Sequence, residues 1–198
     1  LVYISPFLNL LKSMTYRVLK FGGAALSTPS HFAKIAHIIK HKQANEVGLV
    51  VVLSAMRSLT NKLLNLAGQV NPEPPKRELD MLVSVGERIS ISLLAMALDK
   101  EGQAAVSFTG SQSGIVTNEA HSQALITDVK PYRVKEVLDQ GKVAIVAGFQ
   151  GVSQAREITT LGRGGSDTTA VALAIALGAP SVEFFKDVRG VYSEDPKK

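Results

Sequence analysis

The strongest chemical signal in this chain is Gly162-Arg163-Gly164-Gly165-Ser166-Asp167-Thr168-Thr169, followed by the alanine-rich run Ala170 to Leu177. Glycines on both sides of an arginine let the backbone pass close to a ligand, because no Cβ intervenes. Ser166 and Asp167 are favoured helix N-cap residues, so the loop is expected to deliver its ligand to the start of a helix. Free N–H groups and the positive end of the helix dipole attract an anion there, and the Arg163 guanidinium adds a planar fork. The loop reads as a holder for a carboxylate or a phosphate.

Four other segments hold residues capable of chemistry. Lys20-Phe21-Gly22-Gly23 puts a lysine at a predicted strand end, where an ammonium and free backbone N–H groups can face phosphate oxygens. Taken alone it is also an ordinary tight turn. The Gly-x-x-x-x-Gly-Lys-Ser/Thr pattern of P-loop NTPases is absent. Ser54-Ala55-Met56 and Leu59-Thr60-Asn61 open a helix, where the Thr60 hydroxyl is either a cap or a substrate contact. Ser84 to Ser90 lies within a predicted helix, and its Gly86 costs about 1 kcal/mol relative to alanine unless a close approach compensates. Glu87, beside that glycine, has no basic residue four positions on to pair with. Finally, Lys186 and Asp187 end the last predicted strand, and Tyr192 beyond them can pack against a base or ribose.

The elements that must position these residues alternate. Tyr16 to Phe21 reads as a strand, and Ser27-Thr28-Pro29 starts a helix with apolar residues at Phe32, Ile35, Ala36 and Ile39. Gly48 to Ser54 is a β-branched run typical of a parallel strand buried on both faces. Helices are expected over 59–69, 77–100 and 131–140, the second with an apolar face of Leu79, Leu82, Val83, Ile89, Leu93 and Ala97. Further strands are expected at 103–108, 142–149 and 181–186. This alternation predicts a three-layer αβα sandwich with a mostly parallel central sheet, whose ligands gather beyond the carboxyl ends of the strands.

In order along the chain, Lys-Phe-Gly-Gly, Ser-Ala-Met…Leu-Thr-Asn, Gly-Glu-x-x-Ser, Gly-Arg-Gly-Gly-Ser-Asp and Lys-Asp-Val-x-Gly-Val-Tyr…Asp-Pro resemble the catalytic domain of the aspartate kinase family, within the amino-acid kinase superfamily. The likeness runs from about Tyr16 to Lys198. It implies transfer of the γ-phosphoryl of ATP, with Mg²⁺ bridging its phosphates, to the side-chain carboxylate of L-aspartate. That is the first step toward lysine, threonine, methionine and diaminopimelate. By the same likeness Lys20 and Asp167 are catalytic, and Thr60, Glu87, Arg163, Gly164, Gly165 and Ser166 hold the substrate. Lys20, Phe21, Gly22, Gly23, Lys186, Asp187, Tyr192 and Lys197 line the ATP site, and no residue is expected to ligate a metal. In these roles Arg163 forks onto the α-carboxylate, Glu87 pairs with the α-ammonium, and Asp167 orients Lys20.

Two departures stand out. Family members usually carry Thr-Ser after Lys-Phe-Gly-Gly, where this chain has Ala24-Ala25. Arg57-Ser58 occupies the place where a glycine commonly precedes the hydrophobic residue before Thr60. The family also continues beyond the equivalent of Lys198 with the rest of the nucleotide pocket and, usually, C-terminal ACT domains. A C-terminally truncated catalytic domain over 14–198 is therefore expected, from a longer protein that forms a homo-oligomer. Another superfamily kinase, such as glutamate 5-kinase, and a non-catalytic nucleotide-binding module are the alternatives. The Gly-Glu-Arg-Ile-Ser segment argues against the first.

Composition narrows the remaining classes. The 198 residues suit one good-sized domain, 45% hydrophobic and 20% charged. Net charge is +5, from 22 Lys and Arg against 17 Asp and Glu, but the basic residues are scattered. Lys40 to Lys42 and Lys197-Lys198 are the nearest to clusters and carry no interleaved aromatics, so nucleic-acid binding is not expected. With no cysteine, thiol catalysis and zinc-thiolate sites are excluded. His37 and His41 stand four apart without the glutamate of a metalloprotease pattern and read as exposed helix residues. The apolar stretch within Leu1 to Ser13 is too short to span a membrane and lacks the marks of a signal peptide. Residues 1–13 are expected to lie outside the fold, with Met14 as the natural start, and the protein is expected to be cytoplasmic without membrane contact.

Overall fold

Alternate residues of one strand serve two different cores. In the computed structural model, which describes residues 15–43 and 47–186, strand β2 (Val47–Leu53) places Leu49, Val51 and Leu53 on one face of the sheet and Val50 and Val52 on the other, all fully buried. Period-two alternation sends successive side chains to opposite faces, so a strand apolar at every position must be covered twice. The cover on the first face comes from helix α1 (Pro29–Lys42), through Phe32, Ile35 and Ile39, and from helix α4 (Val85–Lys100), through Ile91, Leu94 and Leu98. The second face is covered by α5 (Tyr132–Asp139), through Val134 and Leu138, and by α6 (Gly165–Leu177), through Ala170, Leu173 and Leu177.

The sheet itself is five-stranded and wholly parallel. β1 (Thr15–Phe21) lies between β2 and β9 (Val182–Phe185), while β6 (Val143–Ala147) separates β2 from β3 (Ala105–Phe108). This is the expected three-layer α/β sandwich. Parallel strands place all carboxyl ends on one edge, so Lys20, Ser54 and Lys186 emerge together.

A second sheet has no counterpart in the sequence reading. Its order is β5 (Ile126–Val129), β4 (Ile115–Thr117), β7 (Gln150–Ser153), β8 (Ile158–Thr160). These strands are three or four residues long and polar in part, too short for periodicity to reveal them. Their inner face is held partly by hydroxyls, with Thr117 Oγ1 and Thr159 Oγ1 buried 2.6 Å apart. β8 runs directly into the Arg163 loop.

The helix expected over 77–100 is divided at Ser84 into α3 (Lys76–Val83) and α4. Two hydrogen bonds mark the division: Ser84 Oγ donates to the Met81 carbonyl at 3.0 Å, and the buried Gln150 Nε2 donates to the Ser84 carbonyl at 2.8 Å. The buried face also differs from the expected one. Asp80, Val83, Gly86, Glu87, Ser90, Ile91, Leu94 and Leu98 face inward, whereas Ile89 is exposed. Apolar residues alone misplace the face because four of these inner positions, Asp80, Gly86, Glu87 and Ser90, are polar or glycine. The segment is long and apolar enough to cross a membrane, but it buries this inner face in the fold. On α1, His37 Nε2 and His41 Nε2 lie 2.9 Å apart on an exposed face, as expected of solvated helix residues.

Candidate active site

Lys20 is the penultimate residue of β1 and only 6% exposed, an uncommon place for an ammonium unless it is paired. Its Nζ lies 2.7 Å from Asp167 Oδ1, and Lys186 Nζ, just past β9, lies 2.8 Å from Asp167 Oδ2. One carboxylate thus holds two lysines from neighbouring strands. Burial by itself would raise the Asp167 carboxyl, but hydrogen bonds from Lys186 and Lys20 and their charges outweigh it and leave it below the usual carboxylate range. Asp167 therefore stays ionised at neutral pH and fixes two cations at the mouth of the sheet.

Asp167 reaches this position because α6 begins one turn earlier than the alanine run suggests. Its N-cap is Gly164, with φ of +80°, a left-handed conformation that glycine adopts without steric cost. Ser166 and Asp167 are consequently first-turn residues and not caps, which still sets the Asp167 charge near the positive end of the helix dipole.

A cleft of about 230 Å³ lies against this ion triad. Lys20, Thr60, Glu87 and Asp167 line it, and so do Arg163, Gly164, Gly165 and Ser166 from the loop. Lys20 and Asp167, near opposite ends of the described chain, are thus in direct contact. Arg163 is exposed at the rim and has no ion pair among the described residues. Gly86 explains itself by packing: a Cβ there would stand 2.8 Å from the Ala55 Cβ, so only glycine lets α4 approach the turn after β2 this closely.

That approach buries Glu87 to 3% exposure. Its Oε1 accepts the Ala55 N–H at 2.9 Å, while Oε2 is buried without a partner among the described residues. Burial pushes the carboxyl up to about 7, with backbone hydrogen bonds opposing only in part. An unpartnered carboxylate oxygen beside the cleft suits a cationic group of a ligand, whose charge would restore the ionised form.

Five residues expected at the nucleotide site need correction or lie out of reach. The Gly22 N–H is not free, because it donates to the Phe185 carbonyl at 3.2 Å and so extends the β1–β9 pairing. The Phe21 ring is buried in the core, stacked on Phe185 at 4.3 Å between centroids, and does not face the cleft. Gly23 begins a 3-10 turn, Gly23–Leu26, whose first amides have no intrahelical acceptor. Ala24 and Ala25 are half-buried within that turn. Asp187, Tyr192 and Lys197 lie outside the described residues, as do residues 1–13.

Phe149 was not anticipated. It lines the cleft with φ of +68°, a left-handed conformation unfavourable for a bulky side chain. Its N–H donates to Thr169 Oγ1 at 3.2 Å and its carbonyl accepts the Leu161 N–H at 2.8 Å. In the sequence it reads only as the last residue of an apolar strand; backbone conformation is what brings it to the site.

Ser58, the N-cap of α2 (Leu59–Val70), has φ of +64° and no side-chain cap bond. It stands where the family pattern commonly has glycine, and the left-handed backbone supplies the reason. Ser58→Gly is expected to raise stability by about 0.5–1 kcal/mol, since relief of left-handed strain outweighs the added chain entropy. A denaturation midpoint that stays or falls would contradict this.

Comparison with known proteins places these features in a family. The family model described as "Amino acid kinase family" matches residues 15–198, and the chain belongs to that family. It is 54% identical over 187 residues to the aspartokinase of Corynebacterium efficiens, and 51% identical over 187 residues to that of Mycobacterium tuberculosis. Each alignment covers 93% of this chain but 44% of the relative, so the chain spans less than half the length of these curated relatives. Among solved structures, aspartate kinase from Synechocystis superposes with a TM-score of 0.79 at 42% identity, over 92% of this chain and 30% of that one. Aspartokinase III of E. coli in complex with aspartate and ADP superposes with a TM-score of 0.80 at 26% identity, over 92% of this chain and 51% of that one.

Proposed function

We propose that the protein transfers the γ-phosphoryl group of ATP to the side-chain carboxylate of L-aspartate. The observation that carries this reading is the single cleft bounded by the Lys20–Asp167–Lys186 triad, the partnerless Glu87 oxygen and the Arg163 loop. Aspartokinase names among relatives at about half identity, and a structural neighbour holding aspartate and ADP, support the same substrates.

In this reading an oxygen of the aspartate side chain, already ionised at neutral pH, attacks the γ-phosphorus. The new O–P bond forms as the bond to the β–γ bridging oxygen breaks, and ADP leaves with that electron pair. No strong general base is needed, so the protein's work is positioning and charge neutralisation. Lys20, with Lys186 beside it, neutralises phosphoryl oxygens, while Asp167 holds both ammonium groups in place. Arg163 forks onto the substrate α-carboxylate and Glu87 accepts from its α-ammonium. Thr60 and Ser166 add contacts through hydroxyl or amide groups. Among the described residues no cluster of three His, Cys, Asp or Glu side chains could hold a metal. In this proposal Mg²⁺ would accompany the ATP phosphates and supply neutralisation of their charge. A cytoplasmic site of action goes with ATP as donor. A homo-oligomeric full-length protein with C-terminal ACT domains goes with relatives more than twice as long.

The test is a panel of amino acids with ATP and hydroxylamine, which traps acyl phosphates as hydroxamates. Aspartate hydroxamate is expected in step with ADP. Turnover of glutamate or N-acetylglutamate in preference to aspartate would overturn the substrate, and ATP binding without any hydroxamate would favour a non-catalytic module.

A further inference from the structure

We propose that Asp80 is a positioning residue for the amino-acid substrate: it fixes the root of the Arg163 loop against the helix that carries Glu87, and so sets the spacing of the two groups that bracket the ligand. The inference rests on the aspartate reading above. Asp80 lies on α3, is fully buried and does not line the cleft. Its carboxylate gathers donors from two distant segments. Oδ1 accepts from Thr160 Oγ1 at 2.5 Å and from Ser122 Oγ at 3.2 Å. Oδ2 accepts from the Thr160 N–H and the Ser122 N–H, each at 3.0 Å, and from His121 Nδ1 at 2.9 Å. The Ser122 N–H also lies 3.1 Å from Oδ1. A carboxylate only accepts, so His121 carries its ring proton on Nδ1.

The placement of these partners gives the cluster its meaning. Thr160 ends β8, two residues before Gly162, and both its N–H and its hydroxyl are committed to Asp80. The next residue, Leu161, donates its N–H to the carbonyl of Phe149, which itself lines the cleft. On the helical side, Glu87 follows Asp80 by seven residues, two turns along α3 and α4. The junction between them is held by Gln150 through the Ser84 carbonyl. The Arg163 loop and the Glu87 helix are therefore joined through one buried anion. Charge-assisted hydrogen bonds of this kind are short and directional, which makes them apt for fixing geometry. A buried charge is poor evidence for stability as such, because its desolvation opposes the gain. A loop displaced by about 1 Å can cost about 100-fold in rate, so geometry is where the cluster acts.

Asp80→Asn tests the idea without changing side-chain volume. Each carboxylate oxygen faces at least one backbone N–H, so an amide nitrogen at either position meets a donor that cannot turn away. Thr160→Val removes only the hydroxyl, and Thr160→Ser restores it. The readouts are the KM for aspartate against that for ATP, and hydrogen exchange of the amides at 161–165. Asp80→Asn is expected to raise the aspartate KM about 30-fold or more, leave the ATP KM within about twofold, and speed exchange at 161–165 about tenfold while β2 stays protected. Thr160→Val should show the same pattern more weakly, and Thr160→Ser should match the parent protein. If Asp80→Asn does not fold, the Thr160 pair decides. Unchanged exchange at 161–165 in Thr160→Val, or a general loss of stability that raises both KM values together, would overturn the proposal. A parent protein that makes no aspartate hydroxamate would sink the functional reading instead, and exchange would still decide whether Asp80 holds the loop.

Discussion

Lys20→Ala is expected to lower kcat about 1000-fold while changing the aspartate KM far less, because in the proposed reaction the ammonium acts on charge that moves during phosphoryl transfer. That loss corresponds to about 4 kcal/mol of transition-state stabilisation. The fold should survive, since Asp167 keeps Lys186 as a partner at 2.8 Å and the buried Val18, Leu19 and Phe21 of the same strand are untouched. Lys20→Arg is not expected to rescue: the site is 6% exposed and shaped around a compact ammonium, whereas guanidinium is planar and larger. Steady-state kinetics with saturating ATP checks both variants. A Lys20→Ala protein turning over within tenfold of the parent would remove Lys20 from the chemistry.

Glu87→Gln should act on the other substrate. Losing the carboxylate beneath the cleft is expected to raise the aspartate KM about 100-fold, the scale of a lost charge-assisted bond at a buried site, with kcat less affected. The pH dependence follows from the carboxyl being pushed up to about 7 by burial. Below that pH the ligand-free site is neutral and must lose a proton to receive an ammonium. The aspartate dissociation constant should therefore rise about tenfold per unit of pH below 7 and level off above it. Stability runs the opposite way. A carboxyl whose folded pKa exceeds its unfolded value contributes stability that is fully present below about 4.5 and is lost as pH rises through about 7. For the ligand-free protein that loss is about 3 kcal/mol, and Glu87→Gln should abolish it. Calorimetric aspartate binding and urea melts at pH 5.5 and 8 check both halves. A pH-independent aspartate affinity across that range would contradict the role of Glu87.

The two kinds of residue in this fold differ in how readily sequence reveals them. β2 was legible because burial on both faces demands an unbroken apolar run, and few other environments do. The Arg163 loop was legible because glycine and arginine each have a separate physical reason to stand there, although Ser166 and Asp167, read as caps, fall in the first turn of the helix. The buried face of α3 and α4 was misplaced because Gly86, Glu87 and Ser90 occupy it, and an apolar pattern cannot register residues kept inside for contact with a ligand or a neighbouring turn. Asp80 gave no sign at all, since a lone aspartate in a helix usually faces water; its partners come from residues 121–122 and 160, far along the chain. The second sheet escaped for a similar reason, its short strands depending on cross-strand partners more than on their own pattern. Phe149 and Ser58 owe their places to backbone conformation, which no side-chain pattern announces.

The central claim is that nucleotide phosphates and the amino acid meet in one cleft, between Lys20 on one side and Glu87 and Arg163 on the other. A crystal structure of the protein with a non-hydrolysable ATP analogue and aspartate tests it most directly. The expected result is a side-chain carboxylate oxygen about 3–3.5 Å from the γ-phosphorus, with Lys20 on the γ-phosphate and Glu87 on the α-ammonium. Phosphates bound away from Lys20, or aspartate absent from the Arg163 loop while the nucleotide is in place, would contradict it.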